Sequence, residues 1–438
     1  MKFYDRKEEF EILKELNKVS KKSSSFALLI GRRRLGKTAL LLESAKTQKE
    51  KFLYLFVARQ NEAVLCKQFQ QEVKNVLGLE IFGEIKNFRK LFESLMKFAK
   101  DTPYTLVIDE FQEFERVNPS IFSDIQNLWN RYKDETKLNL IVCGSIYSML
   151  VKIFENSKEP LFERLNSKII LKPFKIEIIK QILKDNNRKY TPADLLCLYM
   201  LTGGVPKYIS VLMDAKAVSK SKMIDHVVRT DSLFLSEGKD ILISELGKDY
   251  GTYFSILQLI SNGKNTQSEI DSIIEKNTGA YLLNLEKEFS LLSRKKPIFS
   301  KPESRNTHWQ INDNYLSFYF RFLYPNQYLI EQEQFTLLKE IIMKNYEQYS
   351  GQVLENYFKD KLSQDGKWTN LGSYWDNKGE NEINVVAVND LNKTAIVAEV
   401  KRNSKKINYD LLMAKFTKIS SQLKNYKIEF QGLSLENM

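Results

Sequence analysis

The 438-residue chain holds three cysteines and two histidines, and that scarcity removes several chemistries at once. Cys66, Cys143 and Cys197 stand singly in apolar or helical surroundings, an odd number without metal-ligand spacing. They read as reduced, buried thiols rather than as a disulfide framework or a zinc site. His226 and His308 lie far apart in sequence, which argues against a histidine-based metal site or triad. No apolar run approaches the roughly 20 residues needed to cross a bilayer. The opening Met1-Lys2-Phe3-Tyr4-Asp5-Arg6-Lys7 lacks an apolar signal core. The expectation is a cytoplasmic protein with no membrane partner. Apolar residues make up 43% and charged residues 28% of the chain, a balance that folds rather than stays disordered. The length suggests about three domains. Net charge is +12, with nearly all of the excess in residues 1–300, which is compatible with nucleic-acid binding.

The most informative stretch is Phe26-Ala27-Leu28-Leu29-Ile30 followed by Gly31-Arg32-Arg33-Arg34-Leu35-Gly36-Lys37-Thr38 and then Ala39 at the head of an apolar-periodic segment. A strand, a loop bounded by glycines and a helix, with the complete spacing G-x-x-x-x-G-K-T, make a Walker A phosphate cradle. Gly31 and Gly36 allow backbone N–H groups to close on an anion, and the helix dipole faces the same anion. Lys37 supplies a point charge for the outer phosphates of ATP, and the Thr38 hydroxyl is a ligand for the accompanying Mg²⁺.

Further apolar runs at 51–57, 104–108, 138–143 and 168–171 alternate with helical segments at 62–77, 85–100 and 120–133, which predicts an α/β fold with a parallel sheet. The 104–108 run ends in Asp109-Glu110, the Walker B pattern. Asp109 is expected to hold Mg²⁺ through its water shell and Glu110 to deprotonate the attacking water. Gly144-Ser145 closes the next strand, and Ser145 is a candidate polar sensor. Arg164, in Pro160-Leu161-Phe162-Glu163-Arg164, is a candidate for transition-state charge stabilisation, from the same chain or from a neighbouring protomer. Residues 175–240 read as helices interrupted by a rigid bend at Thr202-Gly203-Gly204-Val205-Pro206, suited to a hinge or lid.

Walker A, LVIDEFQEF at 106–114, Gly144-Ser145, LFERL at 161–165 and Gly203-Gly204-Val205-Pro206 together resemble the archaeal-type P-loop ATPase family, related to the AAA+ and STAND classes. The resemblance implies a RecA-like sheet with a helical lid, then a winged helix and a restriction-endonuclease-like domain. The residues support the winged helix themselves. Helices are expected at 254–260, from 266 and at 280–292, followed by Arg294-Lys295-Lys296 and two wing strands, 297–300 and 307–311. The aromatic run from Tyr315 to Phe322 reads as packing. A connecting helix at 326–350 leads to a last domain opening at Ser350-Gly351.

In that last domain, strands 382–388 and 394–401 resemble the PD-(D/E)xK nuclease pattern. Glu399 and Lys401 share one strand face, and Glu355 matches the helix acid. Asn384 stands where the pattern has its metal-binding aspartate, and a neutral amide is a poor Mg²⁺ ligand. Glu382 lies on the same strand face as a partial substitute. The expected layout is 1–172 ATPase core, 173–242 helical lid, 243–325 winged helix, 326–350 connecting helix and 351–438 nuclease-like domain. The expected activity is Mg²⁺-dependent ATP hydrolysis by a switch or motor working with DNA. The competing readings are an ATP-gated metal-dependent nuclease and a non-hydrolysing scaffold that recruits protein partners.

Overall fold

The computed structural model describes residues 1–246, 250–304, 306–376 and 380–438. The chain forms two compact units, Asp5–Lys172 and a second made of Met1–Tyr4 with Pro173–Met438.

The Asp5–Lys172 unit is a five-stranded sheet in the order β2-β3-β4-β1-β5. The strands are β1 Ser25–Ile30, β2 Lys51–Phe56, β3 Tyr104–Asp109, β4 Leu138–Gly144 and β5 Ser167–Ile170, and every pairing is parallel. All residues of β1, β3 and β4 are buried, which is why these strands read as largely apolar runs rather than as alternation. One sheet face carries Phe26, Leu28, Ile30, Leu53, Leu55, Leu106 and Ile108 into the main core. There they meet helices α3 (Glu62–Leu77) and α4 (Phe88–Phe98) and the helix Ser120–Tyr132. Asn61 and Asn87 cap α3 and α4 by accepting from the N–H of Ala63 and Lys90. Helix α1 (Lys7–Ser20) packs on β1 and β4 and against α2 (Lys37–Ala45).

The second unit begins with helices Ile176–Asn186, Pro192–Thr202, Pro206–Asp214 and Lys220–Val227. At the bend between the second and third of these, Gly203 and Gly204 take φ of +54° and +83°. The Phe174 N–H donates to the Gly204 carbonyl at 2.9 Å, so the backbones touch where a side chain would not fit. The three helices expected between 254 and 292 are present as Tyr250–Ser261, Gln267–Ile274 and Gly279–Lys287. Thr266 and Glu269 form a reciprocal capping box at the second. The aromatic run is packing, as expected: Tyr315, Phe318, Tyr319, Phe320 and Phe322 are all buried.

Two expectations fail here. The third helix stops at Lys287 rather than at Leu292, because Ser290 turns the chain at φ +51°. The strand that pairs with β7, His308–Ile311, is instead β6, Leu292–Lys295, and the pairing is antiparallel. Residues 297–300 are not a wing strand. Ile298 donates its N–H to the Ser373 carbonyl and packs in the core of the last sheet instead. Arg305, in the turn expected between the wing strands, lies outside the described residues. Second, no element starts at Ser350-Gly351. One 30-residue helix, Phe335–Gln364, runs straight through, because Leu338, Ile342, Tyr346, Tyr349, Val353, Leu354, Tyr357 and Phe358 keep a continuous buried stripe across the supposed boundary.

The last sheet has the order β11-β10-β9-β8, from β8 Asn370–Trp375, β9 Glu382–Asn389, β10 Thr394–Val400 and β11 Lys427–Leu433. Strands β8, β9 and β10 are antiparallel, and β11 pairs parallel to β10. The helix Tyr409–Phe416 covers it through Leu412, which is fully buried.

Candidate active site

The loop 31–36 leaves the buried end of β1 and enters α2 at Lys37. A Cβ at Gly31 would lie 3.0 Å from both Leu171 Cβ and the Leu171 carbonyl oxygen. At Gly36 the constraint is conformational: φ is +86°, while the space where a Cβ would stand is empty. Arg34 is also left-handed, at φ +72°. Leu35 is buried and pins the loop from beneath. Arg6, which sequence reasoning passed over, braces it: its guanidinium donates to the Leu35 carbonyl at 3.3 Å and to the Lys172 carbonyl at 2.8 Å.

Lys37 is buried, and its Nζ donates to the Gly31 carbonyl at 2.6 Å and the Arg32 carbonyl at 3.2 Å. Burial lowers its pKa, and Arg33 adds to that effect, while Cys143, Glu110 and Asp109 act the other way. The ammonium thus curls back on its own loop, an arrangement an incoming anion would replace with stronger charge-assisted bonds.

Asp109 is buried at the carboxyl edge of β3 and receives four donors. Its Oδ1 accepts from the Glu110 N–H at 2.8 Å and the Cys143 thiol at 3.0 Å. Its Oδ2 accepts from the Thr38 hydroxyl at 3.4 Å and from the Tyr54 phenol. Burial first, and then this carboxylate, push the Tyr54 pKa up, so it stays a donor. Burial likewise raises the Cys143 thiol well above its usual range, with Asp109 adding to the effect. Glu110 sits in left-handed backbone at φ +53°. Both of its carboxylate oxygens accept from the Ser145 hydroxyl, each at 3.1 Å, and Gln112 also donates to it.

Lys37, Thr38, Asp109, Glu110 and Ser145 therefore form one connected group. Tyr54, Cys143 and Gln112 belong to it although sequence reasoning did not select them. In sequence Cys143 reads as a buried thiol and Tyr54 as one residue of the apolar run 51–57; β2 and β4 flank β3, but which side chains converge on Asp109 depends on register. Arg164 lies in the turn before β5 with its Nε buried and without a hydrogen-bond partner among the described residues. No hydrogen bond or ion pair among those residues links it to Lys37, Asp109 or Glu110.

The second set of predicted residues lies in the other unit. Glu355 and Glu382 line a cleft of about 670 Å³ together with Lys295, Lys359, Asp360 and Trp375. Burial raises the Glu355 pKa and lowers that of Lys359, four residues further along the same helix. Asn384 has its Oδ1 occupied by the Val400 N–H at 2.9 Å, so the amide serves the sheet. Glu399 is buried and paired with Lys401 at 3.0 Å and Lys415 at 3.7 Å. Among the described residues, no group of three or more His, Cys, Asp or Glu side chains is arranged to hold a metal ion.

A parallel sheet whose first strand runs through a glycine-bounded loop into a helix, with a lysine and a threonine facing an Asp-Glu pair at the end of β3, one strand removed, defines a P-loop nucleotide-binding protein. Comparison with known proteins agrees. Residues 3–212 match the family described as an ATPase domain predominantly from Archaea. Residues 319–412 match a family of archaeal and bacterial proteins of unknown function. The uncharacterized protein MJECL04 of Methanocaldococcus jannaschii is 31% identical over 425 residues, covering 93% of this chain and 91% of that one. Among solved structures, the Walker-type ATPase PABY2304 of Pyrococcus abyssi superposes with a TM-score of 0.54 at 19% identity, over 73% of this chain and 96% of that one. The Aeropyrum pernix ORC2 protein, solved as ADPNP-ADP complexes, gives a TM-score of 0.52 at 14% identity, over 74% and 94%. The chain belongs to the archaeal P-loop ATPase family.

Proposed function

We propose that the protein binds ATP with Mg²⁺ on the Walker elements, hydrolyses it, and couples turnover to contact with DNA. One observation carries the reading: the Lys37 ammonium and Thr38 hydroxyl, the Asp109-Glu110 pair and the Ser145 hydroxyl come from three separate stretches of sequence and meet in one group, with Lys37, Asp109 and Ser145 buried. The group fits a nucleotide. The space beside Gly36 is open, the Lys37 ammonium is held by carbonyls of its own loop, and Thr38 Oγ1 and Asp109 Oδ2 stand 3.4 Å apart as a hard-oxygen pair suited to a hydrated Mg²⁺. Mg²⁺, when bound, neutralises charge on the phosphates.

In this reading the amides of 31–38 orient the phosphates, and Lys37 Nζ leaves the Gly31 and Arg32 carbonyls to meet them. Glu110 is the base for the attacking water. It has to give up Ser145 or Gln112 as a partner before a carboxylate oxygen is free to take a proton. The bend at 202–206 is proposed as part of a lid over nucleotide, and Arg164 as a source of positive charge during transfer. Replacing Lys37 with alanine tests the core of this reading: ATP affinity and phosphate release should both fall by at least tenfold, and unchanged values would refute it.

DNA is proposed as the partner of the winged-helix and last-sheet regions. The net charge of +12 supports this, as does exposed Lys295 on the wing; Arg294 is already engaged by Glu286 at 2.7 Å. We assign the last sheet to contact rather than cleavage, because Asn384 is used by the sheet and Glu399 is neutralised by two lysines. Incubation of the full chain with DNA and Mg²⁺ or Mn²⁺ should leave the DNA intact; cleavage abolished by Glu399→Ala would overturn the assignment.

A further inference from the structure

Tyr54 has no role in the scheme above, yet its position follows from strand register. In the β2–β3 pairing Tyr54 stands beside Val107 and Phe56 beside Asp109. Side chains alternate along a strand, so Tyr54, Val107 and Asp109 share the face opposite the one that carries Leu53, Leu55, Leu106 and Ile108 into the core. That shared face also holds Cys143. From two residues back, the long tyrosine ring reaches the carboxylate of Asp109, where its hydroxyl meets Oδ2.

A carboxylate offers about four acceptor sites. Asp109 already has four donors on them: Glu110 N–H and Cys143 Sγ on Oδ1, Thr38 Oγ1 and Tyr54 Oη on Oδ2. A hydrated divalent cation held beside Thr38 presents water protons to this same carboxylate, so one donor has to give way. The N–H of Glu110 is fixed by the chain, Cys143 lies on the far oxygen and is fully buried, and Thr38 belongs to the cation site itself. The phenol, at the end of a rotatable side chain, is the donor that yields.

We propose that Tyr54 is a positioning residue that sets the divalent-cation demand of the nucleotide site, by occupying on Asp109 Oδ2 the place that a metal-bound water takes. This rests on the nucleotide reading given above. In the metal-free protein the phenol keeps Asp109 turned toward Thr38; on loading, its hydrogen bond is exchanged for one from the cation's water shell. The cation therefore binds more weakly than it would beside an unoccupied oxygen.

The test uses the full chain with ADP and Mn²⁺, following free Mn²⁺ by electron paramagnetic resonance, with ADP affinity in EDTA measured alongside. Tyr54→Phe removes the donor and keeps the ring. It should lower the Mn²⁺ midpoint about tenfold, the worth of one hydrogen bond to a charged group, and leave ADP affinity in EDTA within twofold. Tyr54→Leu, which also lacks the donor, should shift the midpoint the same way. An unchanged or raised midpoint in Tyr54→Phe overturns the proposal. So does a loss of ADP affinity in EDTA that matches the change in midpoint, since that is the mark of a merely structural ring. If the wild-type chain binds no ADP under either condition, the nucleotide reading itself falls and this inference with it.

Discussion

Exchanging glycine for alanine at two positions of the Pro173–Met438 unit should change stability in opposite directions. At Gly204 the backbone sits at φ +83°, where an L-residue loses about 1–2 kcal/mol. The added Cβ would also stand 2.5 Å from the Phe174 carbonyl oxygen and 3.2 Å from both the Phe174 nitrogen and Ile179 Cδ1. Two of those three atoms are backbone, which gives way only by shifting the chain, and overpacking of this kind costs about 1–3 kcal/mol more. Gly204→Ala should therefore destabilise by about 2–5 kcal/mol. At Gly351, inside the helix Phe335–Gln364, a Cβ meets nothing within 4 Å. Gly351→Ala should stabilise by about 0.5–1 kcal/mol through helix propensity alone. Guanidinium unfolding followed by tryptophan fluorescence suits the comparison, because Trp309, Trp368 and Trp375 lie in this unit and Trp129 alone lies in the other. A cost below about 1 kcal/mol for Gly204→Ala would refute the close-approach argument. A loss of stability in Gly351→Ala would refute the unbroken helix.

Two further outcomes are expected. Glu50 accepts from Lys21 at 2.6 Å and Asn17 at 3.0 Å, and these bonds hold its pKa down at about 2, against an ordinary 4.5. A depressed carboxylate contributes stability that is complete above its unfolded value and disappears as pH falls through the folded one. Glu50→Gln should therefore flatten the loss of stability of the Asp5–Lys172 unit between pH 4.5 and 2, and an unaltered profile would remove this pair from the account. Cys66, Cys143 and Cys197 are buried, and burial lifts the thiols of Cys66 and Cys197 to about 12. Native protein should react with an aromatic disulfide reagent at least a hundredfold more slowly than guanidinium-unfolded protein, which should titrate three thiols.

The sequence carried the Asp5–Lys172 sheet well because its central strands are buried on both sides: the short apolar runs 26–30, 106–108 and 140–143 leave little else for β1, β3 and β4 to be. The cradle was legible for a related reason, since glycine spacing and Lys-Thr are dictated by local backbone chemistry. The partners of Asp109 were not. Tyr54 and Cys143 precede or follow it by 55 and 34 residues and meet it through strand register alone. The wing was misplaced because Pro297-Ile298-Phe299-Ser300 is as strand-like as Leu292–Lys295, and only tertiary contact sends Ile298 to the other sheet. Ser350-Gly351 looked like a boundary by composition, but the Ser350 hydroxyl bonds the Tyr346 carbonyl at 2.5 Å inside an uninterrupted spiral.

That uninterrupted spiral bears on how the protein is to be dissected. At 1.5 Å per residue its 30 residues make a rod about 45 Å long. Asp360 on it accepts the Tyr199 phenol of the helix Pro192–Thr202, its ring neighbour Tyr357 packs edge-on against Tyr199, and the same rod touches β8, β9 and β10. Fragments cut at 350 would amputate these attachments and bare half of an apolar stripe. A cut inside Phe335–Gln364 of this chain therefore breaks the helix itself, and a fragment severed there should precipitate, whatever either portion does in the intact chain.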